Sequence, residues 1–173
     1  MQAEEATKGN ATMSMSNAAR ARIRSHEKVV YSYYDDGGRP GRGNCTWGIG
    51  TLAHKGPCTD EELKTKVGAA EVEAAFASRI ADAEHAVRRN VSRQILNQNQ
   101  FDALVSFVYN VGAHGAKATF KRVDAGDFQA AAMGIAQSNK MWIKTKHGSK
   151  LVLARGLIQR REEESAPFRT TAK

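Results

Sequence analysis

Cysteine is scarce in this chain of 173 residues: Cys45 and Cys58 allow at most one disulfide. That excludes a disulfide scaffold and any four-cysteine metal site. The two lie close enough in sequence to be paired, but a chain made in the cytoplasm favours free thiols, and free thiols are the expectation. Long apolar runs are missing too. No stretch approaches the roughly 18 residues of a membrane-crossing helix, and the start, Met1-Gln2-Ala3-Glu4-Glu5, lacks the basic and apolar parts of a secretory signal, so no stable membrane anchor is expected. The five histidines are scattered, and His26-Glu27 lacks a second histidine four residues on, so neither metal nor cofactor is expected. Tandem repeats are absent.

Basic residues outnumber acidic ones, 26 to 18, for a net charge of +8. Such a surface favours an anionic partner, and nucleic acid, anionic lipid and bacterial wall polymer all qualify. Arg20, Arg22 and Arg24, Arg88 and Arg89, and Lys140 to Lys150 are the main clusters. Each is equally readable as a solvated face.

The chain then resolves into segments. Residues 1–16 carry no consistent period and read as a flexible tail, leaving 17–173 as one domain. Asn17 to Glu27 is helical in composition, and Val29 to Tyr34 is β-branched and aromatic, as a strand prefers. Asp35 to Asn44 is a run of turn formers that returns the chain along Thr46 to Leu52 as an antiparallel hairpin, giving a small β lobe over about 28–58. Thr59-Asp60-Glu61-Glu62 is a capping box opening a helical lobe over about 59–168. Val72, Phe76, Ile80, Ala83 and Val87 keep helical spacing in a helix that joins the lobes. Phe101, Leu104, Val105 and Val108 mark a helix buried on most sides. Shorter helices follow near 116–123 and 128–136, and Gly148-Ser149 opens the last one, whose run Arg160-Arg161-Glu162-Glu163-Glu164 is expected to form ion pairs outward. The fold class is α+β, mostly α.

Chemistry concentrates around the hairpin. Glycosidic hydrolysis needs one carboxyl group protonated to donate to the leaving oxygen and a second ionised to activate water or stabilise an oxocarbenium-like transition state. Glu27, where a helix meets the aromatic strand, suits the first task because desolvation disfavours its charged form, and Asp36, among glycines and arginines, suits the second. Trp47 and Trp142 are assigned to packing rather than to sugar stacking.

The order Glu27, Tyr34-Asp35-Asp36, Thr46-Trp47-Gly48-Ile49-Gly50, then Gln100 to Gly112 and Gly156-Leu157-Ile158-Gln159-Arg160-Arg161-Glu162, resembles the phage-type lysozymes of glycoside hydrolase family 24, over roughly Ile23 to Phe168. The resemblance implies a lysozyme-like bilobed fold and a muramidase that cuts the β-1,4 bond between N-acetylmuramic acid and N-acetylglucosamine of peptidoglycan, with Glu27 as general acid, Asp36 as second carboxylate and Thr46 holding the attacking water. It gives Asn110 and Arg160 supporting or substrate-binding roles, Arg160 or Arg161 being the side chain that reaches Glu27. Two departures stand out: nine residues, Gly37 to Cys45, separate Asp36 from Thr46, a turn four residues longer than the family's, and Lys28 replaces its usual glycine after the catalytic Glu. Asp35 is the alternative second carboxylate.

The resemblance implies an endolysin; monomer is the default expectation, and the missing secretory signal suggests accumulation in the host bacterial cytoplasm until a separate pore-forming protein releases it onto the periplasmic wall. A lytic transglycosylase or chitinase is the related enzyme reading, distinguished by a dispensable Asp36. A basic nucleic-acid- or wall-binding protein is the non-enzymatic one, but the chain offers no recognition helix, zinc site or RNA-binding signature, so no specific nucleic acid is expected.

Overall fold

A computed structural model describes residues 9–38, 40–145 and 148–169. The chain divides into two compact units, Ala21–Ala81 and the remainder, the division falling within a helix on each side. The architecture is α+β and mostly α, with seven helices named below and two small antiparallel sheets.

In the first unit, helix α1 (Asn17–His26) ends where the β-branched residues begin, and Ile23 is its buried anchor. Strands β1 (Val30–Asp35), β2 (Cys45–Gly48) and β3 (Thr51–His54) form one sheet in that order. The expected single return strand is broken between Gly48 and Thr51: Gly48 and Gly50 both have positive φ, 64° and 83°, so the chain turns there and adds a third strand. Helix α2 (Asp60–Lys64) has the capping box read from the sequence, with the Glu62 N–H donating to Thr59 Oγ1 at 3.2 Å and the Thr59 N–H donating to Glu62 at 2.7 Å. It packs on β1. Helix α3 (Ala69–Asn90) presents Val72, Phe76 and Ile80 to this unit's core and Ala83 and Val87 to the other's, all buried as their spacing predicts.

Cys45 and Cys58 are bonded, with Cα atoms 4.5 Å apart, so the expectation of free thiols is corrected. The backbone brings them together: the Cys45 N–H donates to the Gly56 carbonyl at 2.7 Å and the Cys58 N–H to Asp35 Oδ1 at 2.7 Å.

The second unit is built on helix α4 (Gln98–Gly115), capped by Asn97, whose Phe101, Leu104, Val105, Phe107 and Val108 are all buried. Burial of each large apolar side chain in this stripe contributes roughly 1.5–3 kcal/mol to the unit's stability. Helices α5 (Lys117–Asp124) and α6 (Phe128–Gln137) follow. Helix α7 (Arg155–Arg169) packs on both α4 and α6, with the Phe128 and Phe168 rings 6.1 Å apart.

Three expectations change here. Gly148-Ser149 does not open a helix: Lys140–Thr145 (β4) and Gly148–Leu153 (β5) pair as a hairpin, consistent with their β-branched and aromatic residues, and α7 starts only at Arg155. Residues 9–16 are not a loose tail. The Asn10 amide donates to the Val91 carbonyl at 3.0 Å, the Met15 N–H to Glu84 at 2.7 Å and the Ser16 hydroxyl to Asp102 at 2.6 Å, and Asn10 and Met15 are buried. Nor do Arg160, Arg161 and Glu164 face outward, since all three are buried. Residues 1–8 and the side chains of 141–147, Trp142 among them, lie outside the described residues. No helix among the described residues is long and apolar enough to cross a membrane.

Candidate active site

Glu27 follows the last residue of α1, and its N–H closes the helix on the Arg24 carbonyl at 3.3 Å. It is half-buried. Asp36 follows the last residue of β1, and Thr46 is the second residue of β2, buried at 4% exposure. Tyr34 lies directly across from Thr46 in the β1–β2 ladder, so the two side chains share one face of the sheet. The Tyr34 phenol is held above its ordinary range, first by burial, then by the negative charges of Asp36 and Glu27, with Arg79 opposing. Arg79 donates to the Ile49 carbonyl at 2.8 Å, placing a cation beside the turn between β2 and β3.

The long turn extends the hairpin instead of displacing its end. Asp36 N–H donates to the Asn44 carbonyl and Gly37 N–H to the Arg42 carbonyl, each at 3.1 Å, which adds two rungs beyond the end of β1. Asp36 Oδ1 accepts the Asn44 N–H at 2.7 Å. Its Oδ2 faces the Thr46 hydroxyl at 3.4 Å, and that hydroxyl also lies 3.3 Å from the Asn44 carbonyl. Gly43 is a site where only glycine fits: φ is +91°, and a Cβ there would sit 2.2 Å from Asp36 Oδ1. The adjacent Asp35 is occupied differently, accepting the Gly41 N–H at 2.6 Å and the Cys58 N–H at 2.7 Å. Asp36 thus keeps one oxygen turned to Thr46, whereas each oxygen of Asp35 accepts a backbone N–H.

Asn110 and Arg160 belong to the other unit, on α4 and α7, and one ionic network contains both, buried at Arg160, Arg161 and Glu164 and reaching the surface at Asn110. Glu164 accepts from Arg160 Nε at 3.0 Å, from the Ser106 hydroxyl at 2.6 Å and from Arg161. Arg161 also donates to the Asn110 side-chain oxygen and, at 2.8 Å, to the Ser138 carbonyl, and its guanidinium lies 5.1 Å from the Phe107 ring centroid. Burial lowers the Arg161 pKa while Glu164 works against that. The sequence reading paired these arginines with the run Glu162 to Glu164 but turned the pairs outward, and did not single out Glu164 as a buried acceptor shared by both. The signal was present in the helical spacing, since residues three and four apart lie on one face.

Among the described residues one grouping has metal-ligand chemistry, Cys45, His54 and Glu62 within 4.8 Å of each other. Cys45 has no thiolate to offer because its sulfur is in the disulfide, and His54 Nε2 is hydrogen-bonded to Glu62 at 3.0 Å.

Residues 24–164 match the phage lysozyme family. Among curated proteins the chain is similar to an endolysin of Bacillus phage B103, 42% identical over 77 residues, which cover 43% of this chain and 26% of that relative. The match thus spans about a quarter of the relative's length. Among solved structures, the endolysin from Escherichia coli O157:H7 phage FAHEc1 is similar over 94% of this chain and 98% of its own, with a TM-score of 0.70 and 27% identity. The muramidase domain of SpmX from Asticaccaulis excentricus is similar over 91% of this chain and 98% of its own, with a TM-score of 0.67 and 27% identity.

Proposed function

Because this chain belongs to the phage lysozyme family, we propose that it is an endolysin that hydrolyses the β-1,4 bond between N-acetylmuramic acid and N-acetylglucosamine in peptidoglycan. The observation that carries this reading is the geometry at the hairpin, Asp36 Oδ2 facing the Thr46 hydroxyl at 3.4 Å within the residues that match the family. Two carboxyl groups in unlike surroundings are what glycoside hydrolysis requires. Glu27, half-buried at the helix end, donates its proton to the glycosidic oxygen as the bond from the anomeric carbon breaks. Asp36, exposed in the turn, opposes the positive charge that develops on the sugar and takes the proton lost by the water that the Thr46 hydroxyl steers onto that carbon.

Asn110 and Arg160 serve as supporting residues, through a network in which Glu164 and Arg161 fix their positions. The net charge of +8 favours the anionic wall, an attraction that weakens as salt shortens its range to about 8 Å at physiological ionic strength. The enzyme acts as a monomer. It is held in the host cytoplasm until a separate pore-forming protein gives it access to the wall.

Turbidity of purified peptidoglycan tests the reading. Wild type clears the suspension, while Glu27→Gln and Asp36→Asn each clear it at least about a hundredfold more slowly. Clearance by Glu27→Gln at the wild-type rate would refute it.

A further inference from the structure

Asp35 has no part in the chemistry just described, yet its carboxylate is fully engaged. Oδ2 accepts the N–H of Gly41, at the tip of the long turn, at 2.6 Å, and Oδ1 accepts the N–H of Cys58 at 2.7 Å. One side chain therefore ties three pieces of backbone: the end of β1, the turn that follows it, and the segment that the disulfide fastens to the first residue of β2. The turn has little else to hold it. Residues 36–38 and 40–43 are exposed, and Gly37, Gly38, Gly41 and Gly43 supply no apolar side chain to pack. Two backbone rungs, at Asp36 and Gly37, hold its base, and the side-chain ties that the described residues add to them are those of Asp35 and Asp36.

We propose that Asp35 is a positioning residue, holding the glycine-rich turn so that Asp36 Oδ2 stays directed at the Thr46 hydroxyl. This rests on Asp36 being the second carboxylate. The adjacent acids divide the work by which backbone N–H groups they face: both oxygens of Asp35 go to Gly41 and Cys58, while Asp36 commits one oxygen to Asn44 and keeps the other toward Thr46. Asparagine at position 35 has a single acceptor oxygen, and its amide would meet one of the two N–H groups donor to donor. Such a variant keeps the fold's volume and loses one tie.

The test uses the oxidised full chain and soluble peptidoglycan oligomers, with kcat, KM and the thermal midpoint measured for wild type, Asp35→Asn, Asp35→Glu, Asp36→Asn, Thr46→Ala and the Asp35→Asn/Thr46→Ala double variant. Misplacing a reacting group by a fraction of an ångström to an ångström costs roughly 10- to 100-fold in kcat, and that loss is expected for Asp35→Asn, with KM within about twofold of wild type. Asp35→Glu, which keeps a charged two-oxygen acceptor on a longer stem, recovers part of the loss. The double variant loses much less than the product of the two single losses, because both act on the same Asp36 geometry. Should Asp35→Asn not fold, Asp35→Glu carries the test alone, and reduced kcat at unchanged KM is the expected result.

Wild-type kcat in the variant that folds overturns the proposal, as do multiplicative losses in the double variant or a loss that disappears when the assay is cooled well below the thermal midpoint. If Asp35→Asn is inert while Asp36→Asn is fully active, it is the assignment of Asp36 that fails. If Asp36→Asn is inactive and Asp35→Asn behaves as wild type, only the positioning role fails.

Discussion

The Thr46 hydroxyl lies 3.4 Å from Asp36 Oδ2 and 3.3 Å from the Asn44 carbonyl, two acceptors for a single proton. Neither contact is short, so the hydroxyl can turn to a third partner at small cost. A water near the sugar is that partner in the proposed reaction. Thr46→Val keeps the branched shape and removes the hydroxyl; kcat should fall at least about tenfold, equivalent to about 1.4 kcal/mol in the barrier. Thr46→Ser should retain most of the activity. Steady-state kinetics on soluble peptidoglycan fragments decide, and a Val variant as fast as wild type would remove Thr46 from the mechanism.

The disulfide closes a segment with a sequence separation of 13 residues. By chain entropy, a loop of that length is worth about 3 kcal/mol. Cys58→Ser should lower the urea midpoint accordingly, and because the Cys58 N–H is held by Asp35, it should also slow peptidoglycan cleavage. Unfolding curves that coincide for the oxidised chain and the variant would contradict this.

Arg160, Arg161 and Glu164 are 5%, 1% and 3% exposed, so any one of them left alone is a buried, unmatched charge. Glu164→Ala leaves two buried guanidinium groups facing each other and should cost about 3–5 kcal/mol in urea unfolding. Glu163→Ala, on the exposed side of the same helix, should cost well under 1 kcal/mol by comparison. Equal effects from the two would mean that the network adds nothing.

His54 and Glu62 make opposite pH predictions for the capped segment. The His54 imidazole is raised, first by the Lys55 carbonyl and then by Glu62, so its stabilising contribution is complete below the ordinary imidazole range and disappears as pH rises through the raised value. Glu62 is lowered, first by the Thr59 N–H and then by its hydroxyl, so its contribution is complete above the ordinary carboxylate range and is lost as pH falls through the lowered value. NMR titration should place the His54 midpoint above that of a free histidine and move it downward in Glu62→Gln. No movement would show the pair to be unlinked.

The sequence was most readable where local rules and tertiary packing agree. The Thr59 capping box, the α3 stripe from Val72 to Val87 and the α4 stripe around Phe101 and Leu104 formed as their spacing required. It was least readable where a distant partner decides. Arg160 and Arg161 look like surface charge until Glu164, Ser106 and Asn110 surround them. Asn10 looks like a tail residue until the chain around Val91 and Leu96 supplies its hydrogen bonds. The Cys45–Cys58 pairing depends on the Gly56 and Asp35 contacts, which no spacing rule encodes. The long turn could be counted from the sequence, but its extra rungs at Asp36 and Gly37 could not.

The most direct test of the central claim is the identity of the fragments that the chain releases from purified peptidoglycan, read by mass spectrometry for wild type, Glu27→Gln and Asp36→Asn. Hydrolysis with Glu27 as acid and Asp36 as second carboxylate predicts muropeptides with N-acetylmuramic acid at a reducing end from wild type, and almost none from either variant. Anhydro-muropeptides from wild type, still formed in full by Asp36→Asn, would contradict it.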